Sequence, residues 1–169
     1  MEIRTAGPDS ADDVLALLDA AVRWLAARGR TGQWGEQPWS TRPGAAERIR
    51  GYARDHLLRI AEDEHGRTVG ACVLTTDAPD GVPPADRPEL YIRWLVTDRE
   101  HRGLGAVLVA DALDRARERG RHLLRVDCYA GDDGALVTQY ERLGFTRTIS
   151  FTEDRAAGPW PCQVLELPL

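Results

Sequence analysis

The segment TDREHRGLGAVLV, residues 97–109, places a basic turn with two glycines directly before an apolar helical pattern. The preceding ELYIRWLVT has the pattern of a strand, and the residues that follow keep helical spacing until Gly120. The first amides of a helix that begins near Gly105 lack intrahelical acceptors, and the helix dipole adds positive charge to them. Arg102 supplies a permanent charge, and glycine lets a ligand approach the backbone. The segment therefore predicts a phosphate-binding turn. The alternative is that the two glycines only shape the turn between strand and helix.

The chain has 169 residues, of which 43% are hydrophobic and 29% are charged. Both values are typical of one globular domain, so we expect residues 1–169 to form a single domain. No apolar run approaches the roughly 20 residues that cross a bilayer, and the N-terminus lacks the pattern of a signal peptide. We therefore expect a cytoplasmic protein without a membrane partner.

The charge balance and the cysteines exclude other classes. A net charge of -5 and a pI near 5.4 argue against a nucleic-acid partner but allow one phosphorylated small ligand. Cys72, Cys128 and Cys162 show no CxxC spacing, so buried thiols are expected rather than disulfides. No metal site is expected.

The hydrophobic periodicity alternates between strand and helix along the chain. A strand over 2–6 precedes helices over 10–29 and about 44–56, and the hairpin of LLRIAED and TVGACVLTT leads to ELYIRWLVT. After the opening segment come the strand HLLRVDCYA, a short helix capped by Asp132 or Asp133, and the pair FTRTISF and QVLELPL. The order β α α β β β α β α β β predicts an α/β domain with helices on both faces of one sheet.

The two common nucleotide-binding patterns do not fit the opening segment. A dinucleotide fold requires G-x-G-x-x-G directly after its strand, whereas here only G-L-G occurs and a basic stretch intervenes. A P-loop requires G-x-x-x-x-G-K-S/T, which the chain lacks. The phosphate ligand is therefore expected to be of another kind.

Two motifs resemble those of the GNAT acetyltransferases. RGLGAV, residues 102–107, is similar to the family's pyrophosphate-binding pattern, Arg or Gln-x-x-Gly-x-Gly or Ala, and departs from it at Val107. YERLGF, residues 140–145, resembles the Tyr-x-x-x-Gly-Phe ending of the helix after the family's fifth strand. The resemblance covers residues 68–147 and implies an α/β (α+β) fold. Its central sheet would be mixed and mostly antiparallel, with about seven strands and about four flanking helices, and splayed between the fourth and fifth strands.

The resemblance implies that acetyl-CoA binds along the fourth strand and the turn that follows it. The main chain of Leu95, Val96 and Thr97 would pair with the pantetheine, with ordinary strand residues as the alternative. The residues whose amides would face the pyrophosphate are Arg102, Gly103, Leu104, Gly105, Ala106 and Val107. Asp133 stands where many members carry an Asn and is a further candidate contact.

The resemblance also implies which residues carry the chemistry. Tyr140 can stabilise or protonate the departing thiolate, since a phenol has an ordinary pKa of about 10. A core tyrosine beside Leu136 and Leu143 is the alternative. The attacking amine must lose a proton, and Glu89, which begins the fourth strand, lies near where some relatives carry a catalytic glutamate. Asp127 in the fifth strand is the second candidate base, and for both carboxylates a solvated or ion-paired side chain is the alternative.

The acceptor is suggested by composition rather than by a motif. Trp34, Glu36, Trp39 and Trp160 lie in two regions that would border the acceptor cleft of this fold. Aromatic faces and carboxylates favour a cationic acceptor. The alternative is that these tryptophans are buried and only hold irregular loops in place.

The expected function is an acetyl-CoA-dependent N-acetyltransferase acting on a primary amine of a small molecule, by direct attack in a ternary complex. A peptide or protein amine is the second hypothesis, and a non-catalytic acyl-CoA-binding sensor is the third. The residues leave open the identity of the amine, the acyl chain and the oligomeric state, including a homodimer.

Overall fold

The computed structural model describes residues 1–169, and its seven strands form one sheet. The strands are β1 (Glu2–Thr5), β2 (Leu57–Glu62), β3 (Thr68–Thr75), β4 (Glu89–Thr97), β5 (Leu123–Tyr129), β6 (Thr146–Arg155) and β7 (Gly158–Pro168). The helices are α1 (Ala11–Ala26), α2 (Ala45–Asp55), α3 (Leu104–Glu118) and α4 (Ala135–Arg142). The predicted order of elements and the predicted fold class are confirmed.

The sheet has the strand order β1-β2-β3-β4-β5-β7-β6, and its central pair is parallel while all other pairs are antiparallel. The pairing of β4 with β5 extends only as far as Ile92 and Val126. Beyond these residues β4 stays paired with β3 up to Thr97, and β5 stays paired with β7 up to Tyr129. The two strands therefore diverge, which confirms the predicted splay and opens a cleft between them.

A β-bulge interrupts β4 at Arg93. Val73 of β3 lies opposite Trp94. The next residue of β3, Leu74, lies opposite Ile92, so Arg93 has no partner in β3. Such a bulge bends its strand and re-aims a side chain.

Two helices cover each face of the sheet. On one face α1 and α2 enclose an apolar cluster that includes Leu18. On the other face α3 and α4 enclose a second cluster that includes Leu108. The three cysteines, Cys72, Cys128 and Cys162, are free and buried, as predicted.

None of the four helices combines the length and the apolar character needed to cross a membrane.

Glycine sets the position of α3 against the sheet. A Cβ atom at Gly70 of β3 would lie 2.9 Å from Leu104 and 3.1 Å from Leu108. Only glycine therefore lets the first turn of α3 approach β3 this closely. Gly103, with a φ of 80°, turns the chain into the helix in a conformation that other residues rarely adopt.

The predicted cap of α4 was wrong. Asp132 and Asp133 both have left-handed backbone angles, with φ of 53° and 61°, and they form a short 3-10 turn. Gly134 then occupies the N-cap position, and no side chain caps the helix. Gly134 is left-handed as well, with a φ of 70°, so the right-handed helix begins only at Ala135.

Candidate functional site

An open cleft follows the gap between the diverging ends of β4 and β5. Its volume of about 1600 Å3 exceeds the roughly 300–1,000 Å3 of a typical small-molecule pocket. The loop before α2, the ends of β4 and β5, the turn before α3, helix α4 and the β6–β7 turn line it. The cleft therefore has room for a large ligand and a smaller one.

The turn before α3 presents backbone amides to this cleft. Three of the six amides over residues 102–107 donate to carbonyls of the same turn, namely those of Leu104, Ala106 and Val107. Three donate no hydrogen bond within the protein, namely those of Arg102, Gly103 and Gly105. Three N–H donors at the positive end of a helix are thus left for an anion.

Gly105 lies beside empty space. A Cβ atom at this position would meet no atom within 4 Å, and the backbone of Gly105 is not left-handed. Neither packing nor conformation therefore requires glycine here, in contrast to Gly103. Free space beside unpaired amides is what a phosphate needs to reach the backbone.

Arginines without ion pairs concentrate in the cleft. The 22 positions counted as lysine or arginine are all arginine, although the net charge is -5. Of the eight arginines that line the cleft, only Arg155 is in a salt bridge. The other seven are Arg30, Arg42, Arg48, Arg93, Arg99, Arg102 and Arg142. The cleft of this acidic protein is therefore suited to an anionic ligand.

Tyr140 is both a core residue and part of the cleft wall. Its side chain is 8% exposed, and its ring packs edge-on against Phe145 with centroids 5.5 Å apart. Burial, followed by the nearby Cys128, Cys72 and Asp127, raises the pKa of Tyr140 far above its ordinary value. The phenol is therefore protonated at neutral pH and available as a hydrogen-bond donor.

Asp127 lines the cleft at the first position of β5 after its pairing with β4 ends. Its Oδ1 accepts a hydrogen bond of 2.6 Å from the hydroxyl of Tyr91, and the thiol of Cys162 lies 3.7 Å from Oδ2. Burial and the adjacent carboxylate raise the pKa of Tyr91, which keeps Tyr91 the donor. The carboxylate is thus held in place and can accept a proton from a group in the cleft.

Glu89, the first candidate for the base, does not line the cleft. Its carboxylate is buried 3.1 Å from the guanidinium of Arg125, which also donates to the carbonyl of Pro83. Burial raises the pKa of Glu89, and the charge of Arg125 opposes this rise. Glu89 lies where β4 and β5 are still paired, at the closed end of the fork.

Val107 and Asp133, two predicted cofactor contacts, also lie outside the cleft. Val107 is 45% exposed on α3, and its amide is already used within the helix. Asp133 is exposed in the turn before α4, where its neighbour Asp132 lines the cleft instead. The predicted contacts that do line the cleft are Leu95, Val96, Thr97, Arg102, Gly103, Leu104, Gly105 and Ala106.

The predicted acceptor residues, Trp34, Glu36, Trp39 and Trp160, all line the cleft. The protein's own arginines already cover two of the rings. Arg42 lies 4.4 Å from the ring centroid of Trp39, and Arg155 lies 3.7 Å from that of Trp160. Trp34 packs edge-on against Trp39, and Glu36 is exposed. The stacking that was expected with an acceptor cation is therefore made within the protein.

Sequence reasoning missed Arg93 and Tyr91. Arg93 lines the cleft beside the bulge of β4, and a lone arginine within the apolar ELYIRWLVT was the available signal. Tyr91 carried no such signal, because its partner Asp127 lies on another strand, 36 residues later.

Comparison with known proteins identifies the family. The sequence model of the acetyltransferase (GNAT) family matches residues 19–145. The chain belongs to this family. The predicted resemblance, which was based on residues 68–147, is confirmed, and the match reaches back to residue 19.

Individual relatives match the chain less closely. A mycothiol acetyltransferase from Cellulomonas flavigena is 36% identical over 74 residues, which are 43% of this chain and 21% of that protein. The chain therefore spans about a fifth of the length of this curated relative. A ribosomal-protein-alanine N-acetyltransferase structure from Brucella melitensis has a TM-score of 0.72 at 20% identity and covers 100% of both chains. A phosphinothricin acetyltransferase from Sinorhizobium meliloti in complex with acetyl-CoA has a TM-score of 0.70 at 14% identity, covering 99% of this chain and 88% of that one. At these identities the two structures show a shared fold.

Proposed function

We propose that the protein is an N-acetyltransferase that uses acetyl-CoA to acetylate a primary amine of a small molecule, by direct attack within a ternary complex. One observation carries the proposal. Three unpaired amides, a tyrosine and an aspartate meet in the cleft that opens between β4 and β5. Membership of the acetyltransferase (GNAT) family supports it.

The end of the cleft at α3 fits the phosphates of acetyl-CoA. The amides of Arg102, Gly103 and Gly105 would face the pyrophosphate, and the space beside Gly105 would admit it. Residues 95–97 lie on the part of β4 that has no partner on β5, so their free main-chain groups can pair with the extended pantetheine. When bound, acetyl-CoA supplies a thioester that an amine can attack.

Asp127 and Tyr140 would handle the protons of the reaction. Asp127 accepts the proton that the amine must lose as it attacks. Tyr140 donates a hydrogen bond, and then a proton, to the sulfur of the leaving thiol. Because burial raises the pKa of Tyr140, the phenol is protonated before the thiolate forms and can donate a hydrogen bond to it.

The loop over the acceptor end supports a small-molecule substrate. This loop, residues 30–43, is held by Asp19, whose carboxylate accepts hydrogen bonds from the amide and the hydroxyl of Ser40 at 3.1 and 2.5 Å. The indole of Trp160 donates to the carbonyl of Gln33 at 3.1 Å and ties the loop to β7. A loop anchored to α1 and to β7 forms a fixed wall at the acceptor end, against which a small molecule can bind.

Release of the CoA thiol from acetyl-CoA tests the proposal. We expect release to depend on a small primary amine and to stay at background with peptides. Faster release with peptides would favour a peptide acceptor. Binding of acetyl-CoA without release for any amine would indicate a sensor rather than an enzyme.

A further inference from the structure

We propose that the acceptor amine also carries a carboxylate close to its nitrogen, and that Arg93 binds this carboxylate. The acceptor is then an amino acid or a close analogue. The inference rests on the proposed function, because it concerns the second substrate of the same reaction.

Arg93 and Asp127 stand together at the fork of the sheet. The last paired residues of β4 and β5 are Ile92 and Val126, so Arg93 and Asp127 come next on the two strands. Both side chains line the cleft, one residue beyond the last paired positions of the two diverging strands. The fork thus presents a cation and an anion to the same cleft.

These opposite charges do not pair with each other. Asp127 accepts its hydrogen bond from Tyr91, while Arg93 forms neither a salt bridge nor a side-chain hydrogen bond. The bulge takes Arg93 out of the regular alternation of β4. The five N–H donors of this partly buried guanidinium have no acceptor within the protein, and an anionic ligand in the cleft can accept from them.

Further unpaired donors lie at the acceptor end of the cleft, the part lined by residues of 34–52, 79–80 and 93–94. The indole nitrogens of Trp39 and Trp94 are buried there without an acceptor. Burial lowers the pKa of Arg42, and the positive charge of Arg48, which has no ion pair, lowers it further. Donors and positive charge therefore predominate where the acceptor would bind.

An acceptor with only positive charge fits this end less well. Its two acidic residues, Glu36 and Asp80, are exposed, as is Arg48, so water and salt screen these three charges, whereas Arg42 and Arg93 are partly buried. The guanidinium of Arg42 covers the ring of Trp39, which a cation would otherwise use. A carboxylate on the acceptor would match the positive charge at this end of the cleft.

The shared position of Arg93 and Asp127 at the fork indicates which two charges the ligand carries. The amine would approach Asp127, and the carboxylate would accept two N–H bonds from the guanidinium of Arg93. An amino acid holds both groups a few bonds apart. An amine without a carboxylate would leave Arg93 unpaired.

The experiment compares free L-amino acids with their C-terminal amides as acceptors, because an amide keeps the amine and the side chain but loses the negative charge. We expect kcat/KM for the free amino acid to exceed that for its amide by about 10- to 100-fold. Arg93→Gln should remove this preference, and Arg93→Lys should keep part of it, since lysine has the charge without the planar fork. Arg23→Gln removes an exposed arginine outside the cleft and should leave the preference unchanged.

The preference is a ratio measured on one preparation, so partial unfolding of a variant does not alter it. Amides that react as fast as free amino acids, or an unchanged ratio in Arg93→Gln, would overturn the inference and leave the acetyltransferase function standing. No thiol release with any amine of either series would overturn the proposed function, and this inference with it.

Discussion

The hydroxyl of Tyr91 donates a 2.6 Å hydrogen bond to Oδ1 of Asp127, beside the last paired residues of β4 and β5. Tyr91 is fully buried, so this donor is fixed in place. The second carboxylate oxygen has the thiol of Cys162 near it, at 3.7 Å. Both oxygens of Asp127 thus accept one hydrogen bond within the protein, and each keeps a lone pair that can accept a proton from a substrate in the cleft.

Asp127→Asn should lower kcat for amine acetylation by about 10²–10⁴-fold, because an amide cannot take the proton. Tyr91→Phe should lower kcat by less, because it removes only the bond that orients the carboxylate. Steady-state kinetics at saturating acetyl-CoA measures both effects. Normal turnover in Asp127→Asn would exclude this residue as the base.

Glu89→Gln is the contrasting variant. It should leave kcat of the folded protein nearly unchanged and lower the melting temperature, because Arg125 would keep a buried charge without its partner. Breaking such a buried pair costs about 3–5 kcal/mol of unfolding free energy. A fall in kcat at an unchanged melting temperature would return Glu89 to the role of base.

Tyr140→Phe should lower kcat by about 10²–10⁴-fold and change the affinity for acetyl-CoA little. The ring would keep its edge-on contact with Phe145, so the melting temperature should stay close to that of the parent protein. Kinetics, calorimetry and thermal unfolding on this one variant separate an acid from a core residue. Unchanged turnover would retire Tyr140 as the acid.

Gly105→Leu should abolish acetyl-CoA binding while the protein stays folded, because the new side chain would enter space that the protein's own atoms leave empty. Arg102→Ala should weaken binding by about 10- to 100-fold through loss of a charge-assisted contact. Titration calorimetry measures both. Ala110→Leu, on the exposed side of the same helix and outside the cleft, is the matched control. Unaltered affinity in both cleft variants would mean that the pyrophosphate binds elsewhere.

Acetyl transfer should proceed without an acetyl-cysteine. Cys128 lines the cleft, but burial raises the pKa of its thiol to about 12, so little thiolate exists at neutral pH. Cys128→Ala should therefore retain turnover, and double-reciprocal plots of the parent protein should intersect. Parallel plots, or an acetyl group found on Cys128 by mass spectrometry, would contradict direct transfer.

The order of the elements and the turn proposed for the cofactor could both be predicted from local sequence. These features depend on near neighbours in the chain, because the spacing of apolar residues selects helix or strand locally. RGLG over residues 102–105 is likewise a local device, and the structure leaves three amides of that turn unpaired. Tyr140 was also found from a contiguous motif, and it lines the cleft.

Which charged groups the cleft can use depends on contacts between residues that are far apart in the chain. Glu89 and Asp127 are both carboxylates in strands, but one is neutralised by Arg125 and the other is oriented by Tyr91, each across 36 residues of chain. The place of Arg93 depends on a bulge in the register between β3 and β4, which no local pattern encodes. Ion pairing and strand register depend on distances between residues far apart in sequence, and these distances exist only once the sheet has formed.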